Sequence, residues 1–244
     1  MYADDLLLMS ISVTDLQKMV DLCMYFFESI DMKINVGKSV CMRIGTRHKV
    51  PVNDITIQNQ PIIWKCELCY LGVSFVSANS LKCNLQSVRH KFFRALNGIF
   101  SKIGLHASPM VTLSLIDSYC MPLLSYGIEA FNVTQSMYNS LESAFTAAFA
   151  KIFRAYDKTI IRSCQFYCGV LPFVYRLDLI RLNFYAGLSR TTNSSLKGLF
   201  LQFGCKEFSK LLKKYDLSAS DSTATWKKTI WKHFTNSVMH LAEI

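Results

Sequence analysis

An α+β fold, strand-rich in front and helical behind, follows from two features of this 244-residue chain. Short β-branched and aromatic runs, punctuated by Gly, Pro and Asn, fill residues 1–80. From Leu85 onward the apolar spacing becomes that of amphipathic helices and stays so. With 51% hydrophobic and 13% aromatic residues the chain can bury a core, which excludes a disordered tail. Three regions result: 1–80, 81–217 and 218–244, the last opening on a polar linker at 218–225.

The apolar run that starts Leu6-Leu7-Leu8-Met9 predicts a strand over 6–12. Thr14-Asp15-Leu16-Gln17 has capping-box spacing. Behind it Leu16, Met19, Val20, Cys23, Phe27 and Ile30 share one helical face, which predicts a helix packed across a sheet. Residues 32–44 read as extended structure broken at Gly37. Stretches 55–58 and 62–64 flank Asn59-Gln60-Pro61 as a hairpin, and 67–75 reads as one further strand. A polar boundary at 77–84 precedes a helix over 84–103, with Leu85, Val88, Phe92, Leu96, Ile99 and Ile103 on its apolar stripe. Lys91, Arg94 and Lys102 fall on its other side. Further helices are expected over 110–124, 137–156, 175–189 and 226–241. Phe145, Phe149, Phe153 and Tyr156 recur at helical spacing, a pattern that favours core over base stacking.

The net charge of +10 is unevenly placed: residues 81–215 carry 17 basic and 6 acidic side chains. Concentration in one segment points to a polyanion, above all a phosphate backbone, rather than to a solubilising surface. No uninterrupted apolar run reaches membrane-spanning length, and no basic, apolar leader opens the chain, so no membrane partner is expected. Nine cysteines, an odd number, read as reduced thiols of an intracellular protein, nuclear or cytoplasmic. Cys66-Glu67-Leu68-Cys69 has metal-ligand spacing and Cys164 and Cys168 form a second close pair, but no histidine completes a zinc pattern.

The chemistry-bearing stretch is Tyr2-Ala3-Asp4-Asp5 ahead of the apolar run. Adjacent carboxylates on a tight turn suit Mg²⁺, which prefers one or two carboxylates plus substrate phosphates. A bare Asp-Asp pair is more often an acidic turn before a buried strand; the full Tyr-x-Asp-Asp plus apolar run is much rarer. Asn35-Val36-Gly37-Lys38-Ser39, Tyr70-Leu71-Gly72-Val73 and Pro122-Leu123-Leu124-Ser125-Tyr126-Gly127 follow in order. Over residues 2–131 the chain resembles the C-terminal half of the reverse transcriptases of non-LTR (LINE-type) retrotransposons.

The resemblance implies the end of a right-hand polymerase palm at 1–80, with short antiparallel strands and one packed helix, followed by a helical thumb and post-thumb region. It implies template-directed DNA synthesis on RNA, with deoxynucleoside triphosphates as substrates and an RNA template and DNA primer as partners. Asp4 and Asp5 are then the catalytic and metal-ligating residues of a two-Mg²⁺ site, Asp4 the more direct ligand. Tyr2 sits under the primer terminus, and Lys38 lies near the incoming triphosphate unless it is an ordinary turn lysine. Tyr70, Leu71 and Gly72 form the primer-grip strand, Gly72 allowing close approach of the primer backbone. Lys91, Arg94 and Lys102 track the duplex. The family's third carboxylate and its fingers precede the catalytic turn, where this sequence has only Met1. The chain therefore reads as a fragment, expected to be inactive alone. Competing readings are a non-catalytic nucleic-acid-binding module of the same descent and a helical protein whose basic surface binds an acidic partner.

Overall fold

A computed structural model describes residues 4–104, 107–131 and 133–242, with the side chains of 240–242 left out. The fold is mixed α+β, mostly helical with few short strands, and divides into two compact units, Met1–Asn84 and Leu85–Ile244.

In the first unit, helix α1 (Val13–Ser29) starts at Ser12, whose extended backbone and hydroxyl, accepting from the Asp15 N–H at 3.4 Å, make the cap. The expected Thr14–Gln17 box does not form. Gln17 instead clamps the helix to the sheet, its Nε2 donating to the Thr56 carbonyl at 2.9 Å and its Oε1 accepting from the Thr56 N–H at 2.8 Å. Strand β1 (Val40–Cys41) pairs in parallel with β4 (Ile63–Trp64), and β2 (Thr56–Ile57) pairs antiparallel with β3 (Gln60–Pro61). The β2–β3 turn lies at Gln58 and Asn59, both at positive φ, one residue earlier than the sequence suggests. A two-residue turn of this hand matches strand twist, and Asn tolerates it. Strands β5 (Glu67–Tyr70), β6 (Val73–Val76) and β7 (Lys82–Cys83) form an antiparallel meander.

Two expectations fail here. Residues 6–10 form no regular strand, and Leu6, Leu7, Met9 and Ile11 are exposed. A strand exists through its ladder, and among the described residues no strand neighbour pairs with this run. The α1 face is also only partly used. Val20 is buried and Leu16, Cys23 and Phe27 are half-buried, whereas Met19 and Ile30 are exposed. The small core of this unit centres on Val20, Cys41, Ile55, Ile57 and Ile62.

The second unit is helical. Helix α2 (Leu85–Ile103) buries Phe92 and Leu96. The stretch expected as one helix over 110–124 is two, α3 (Pro109–Tyr119) and α4 (Met121–Ser125). Pro122 supplies no N–H and favours a fresh helix start, so the chain bends there. A 3₁₀ turn (Ile128–Ala130) follows Gly127 at φ 71°. Helix α5 (Gln135–Phe153) ends at Arg154 in the left-handed region, leaving Tyr156 outside and exposed, and α6 (Lys158–Tyr167), which the sequence did not suggest, starts at Asp157. Two backbone N–H groups, of Ile160 and Thr159, hold the Asp157 carboxyl below its ordinary value. Helix α7 (Phe173–Arg190) leads to α8 (Ser194–Leu199), a π turn (Phe200–Gly204), α9 (Cys205–Tyr215) and α10 (Thr223–Ala242).

Two apolar cores share α7. Phe173 and Leu177 join Phe92, Leu96, Phe145 and Phe149 in one; Leu182 and Tyr185 join Phe208, Trp226, Ile230 and Phe234 in the other. The final helix is thus seated in the second core, and the Trp226 indole donates to the Ser218 carbonyl of the polar linker at 3.1 Å. No single helix among the described residues is long and apolar enough to cross a membrane. The bent pair α3–α4 is apolar because Leu113, Ile116, Cys120, Met121 and Leu124 line the first core.

Candidate functional site

Three exposed turns of the first unit carry the motif residues. Asp4 and Asp5 occupy a turn, Asp5 in an isolated bridge, and both side chains are exposed. Tyr2 lies outside the described residues. The second turn is built by Asn35, whose Oδ1 accepts from the Lys38 N–H at 3.1 Å and whose carbonyl accepts from the Ser39 hydroxyl at 2.8 Å and N–H at 3.0 Å. Asn and Ser at these positions close the turn through their own side chains, which leaves Lys38 exposed with no ion pair among the described residues.

The third turn corrects the sequence reading. Tyr70-Leu71-Gly72-Val73 is not part of one strand over 67–75 but a hairpin tip, with Tyr70 opposite Val73 and Leu71 and Gly72 at φ 47° and 79°. Gly72 is accounted for by this turn, since residues at positive φ favour glycine. Leu71 holds the same hand against its Cβ, at a cost of about 1–2 kcal/mol.

In the second unit Lys91, Arg94 and Lys102 are exposed on α2, on the side away from Phe92 and Leu96. Five other cations of 81–215 are engaged within the unit. Arg89 lies over the Phe93 ring, and Lys151 lies over Phe100 while donating to Asn97 Oδ1 at 3.0 Å. Arg162 pairs with Glu142 at 2.8 Å, Arg176 pairs with Asp117, and Arg181 is only 4% exposed. Asp117, Glu142, Asp178 and Glu207 all face basic partners and Asp157 caps α6, so most acidic charge of the segment is used internally. What remains on the surface is positive.

A network that sequence reasoning missed joins α5, α7 and α9. Asp178 accepts from Tyr215 Oη at 2.7 Å, Lys214 Nζ at 2.6 Å and Tyr138 Oη at 3.3 Å. Arg181 donates to Tyr138 Oη at 2.9 Å, Tyr185 Oη at 3.1 Å and Glu207 Oε2 at 3.4 Å. The available signal was an Asp and an Arg three apart on a helix whose neighbouring positions are apolar. Asp178 and Arg181 at its centre are buried, Lys214 and Glu207 reach the surface, and the group ties three helices together.

For a metal, the two carboxylates fit an ion that keeps phosphate and water ligands. They do not amount to a protein-held pair of ions: among the described residues no three His, Cys, Asp or Glu side chains converge. All nine cysteines are free thiols, Cys66 and Cys69 exposed, Cys164 and Cys168 half-buried, and none belongs to such a group. No protein-family model, curated protein or solved structure matches the chain.

Proposed function

We propose that the chain is part of a reverse transcriptase of the non-LTR retrotransposon type, contributing the end of the palm and a basic thumb-like region. The observation that carries this reading is that the Asp4–Asp5, Asn35–Ser39 and Tyr70–Val73 motifs, in the family's order, each place residues on an exposed turn of one compact unit: Asp4 and Asp5, Lys38, and Leu71 and Gly72. Exposed turns on a scaffold are where substrate-contacting residues concentrate.

In the proposed reaction a primer 3′-hydroxyl attacks the α-phosphate of a deoxynucleotide and pyrophosphate leaves. Mg²⁺, when bound, supplies charge stabilisation to the attacking and leaving oxygens. Asp4 and Asp5 give such an ion two anionic ligands. Lys38 offsets triphosphate charge or donates a proton to the leaving pyrophosphate. The hairpin tip at Leu71–Gly72 supports the primer, and Lys91, Arg94 and Lys102 hold duplex phosphates without reading sequence. Asp4 and Asp5 meet no third His, Cys, Asp or Glu among the described residues, in keeping with a part of an enzyme that is inactive by itself.

A second reading, a nucleic-acid-binding module without chemistry, draws on the exposed cations of α2 alone. Both predict duplex binding, tested by fluorescence anisotropy with an RNA–DNA primer-template at several salt concentrations. About three phosphate contacts give a slope of log K against log salt near −2 to −3. Replacing Lys91, Arg94 and Lys102 by Ala should flatten it; an unchanged slope removes the α2 face from both readings. Metal-dependent quenching at the Asp4–Asp5 turn, read as Mn²⁺ binding lost in Asp4→Ala, separates the polymerase reading from the module.

A further inference from the structure

We propose that α9 and the π turn before it form a second binding surface, for single-stranded nucleic acid, with Phe203 as the stacking platform and Lys206, Lys210 and Lys213 as the phosphate contacts. The inference stands apart from α2 and needs no polymerase chemistry.

It starts from the π turn. The Cys205 N–H bonds to the Phe200 carbonyl five residues back, and this wide turn sets Gly204 over the buried Phe200 ring. A Cβ at Gly204 would lie 2.8 Å from that ring and 3.4 Å from Tyr185, so glycine is what permits the close approach. In an α-helix Phe203 would lie near the side of Phe200; in the wider turn it is directed outward and is 69% exposed. Phe203 shares its exposure with other rings of the chain, Tyr156 and Tyr167 among them; what sets it apart is the packed π turn that holds it, and such turns are frequent at functional sites.

The lysines continue from it. On α9, Phe208, Leu211 and Tyr215 are buried, and Lys206, Lys210 and Lys213 lie on the opposite side, all exposed. From Lys206 to Lys213 the helix rises about 10 Å, so the cations form a row. Lys210 contacts Glu207 at 2.6 Å, a surface pair of small worth, while Glu207 is also held by Arg181. Lys214 turns inward to Asp178 and takes no part. Helix α10 packs beside α9 through Phe208 and Trp226, and adds exposed Lys228 and Lys232 away from its own buried residues. Over residues 205–232 seven lysines face three acidic residues, a cluster that the division of the sequence at 217 had split.

An exposed ring at the end of a lysine row is the complement of a single strand, whose unstacked bases offer π faces beside a regular run of phosphates. Exposed Leu201 lies on the same turn and exposed Leu199 just before it, so a lipid surface or an acidic amphipathic peptide is the competing occupant.

The test uses the full chain and a fluorescein-labelled oligouridylate of about 12 nucleotides, within the site sizes of single-strand binders. Phe203→Ala should weaken binding about tenfold with the salt slope unchanged, and Phe203→Trp should restore it. Replacing Lys206, Lys210 and Lys213 by Gln should cut the slope by about 2, at ~0.7 per phosphate contact on single strands. Replacing the three α2 cations should leave this binding within twofold, so failure here is distinct from failure on α2. All these positions are exposed, and an unchanged thermal midpoint checks folding of each variant. No binding at low salt, or variants within twofold of the parent, overturns the proposal. So does loss, in the same variants, of cosedimentation with phosphatidylserine vesicles or of an acidic amphipathic peptide when oligouridylate binding persists.

Discussion

Asp178 shows what a single residue does in this chain. It is 2% exposed, and three donors converge on its carboxylate. A buried charge is tolerable only when paired and hydrogen-bonded, so the tyrosines of α5 and α9 are as necessary as Lys214. Burial pushes the Tyr215 phenol far above its ordinary range, with the Asp178 charge adding to the effect, and Tyr138 is raised for the same reasons. A phenol kept neutral by the fold retains its proton after the unfolded chain has lost it. The stabilisation is therefore complete below about pH 10, the unfolded tyrosine value, and declines as pH rises beyond it. Tyr215→Phe should lower stability at neutral pH by about 1.5–3 kcal/mol through the lost bond to a charged acceptor. It should also remove about 1.4 kcal/mol per pH unit from the alkaline decline. Urea unfolding between about pH 7 and 11 measures both; an identical alkaline slope in the variant would sink the account.

At the scale of elements, α1 carries two apolar faces and uses one. Val20, with Leu16 and Met24 beside it, packs into the small core, while Met19, Leu22, Phe26 and Ile30 form an exposed stripe. Spacing alone cannot separate these faces, because both have helical period. Val20→Ala should cost about 1.5–3 kcal/mol and Phe26→Ala less than about 0.5 kcal/mol, read from denaturation midpoints. Equal effects would mean that the stripe is covered. The π turn gives the matching test in the second unit. Gly204→Ala forces the buried Phe200 ring to move, which should cost about 1–3 kcal/mol, whereas Gly198→Ala meets open space and should be neutral or slightly stabilising.

For the whole molecule, the charge ledger of the helical unit matters more than its total. Acidic side chains are consumed in internal pairs, and the cations of α2, α9 and α10 stay on the surface. The metal ledger is short in the same sense: Asp4 and Asp5 stand without a third donor among the described residues. Residues 1–244 as a polypeptide should give no primer extension on an RNA template with Mg²⁺ or Mn²⁺. Product that disappears in Asp4→Ala would overturn this. The sequence by itself determined the change from short strands to helices near Leu85, the stripe of α2, the core role of Phe145 and Phe149, and a final helix over 226–241, whose docking it left open. These depend on periodicity and local turn chemistry, which neighbours along the chain already hold. Only the tertiary structure decided that 6–10 lacks a ladder, that Gln17 clamps Thr56, that Tyr70–Val73 closes a hairpin, that Arg181 is buried and that Phe203 is not. The hairpin depends on the backbone hand at Leu71 and Gly72, Phe203 on a turn whose hydrogen bond skips a residue, and the others on partners remote in sequence; residue spacing records none of these.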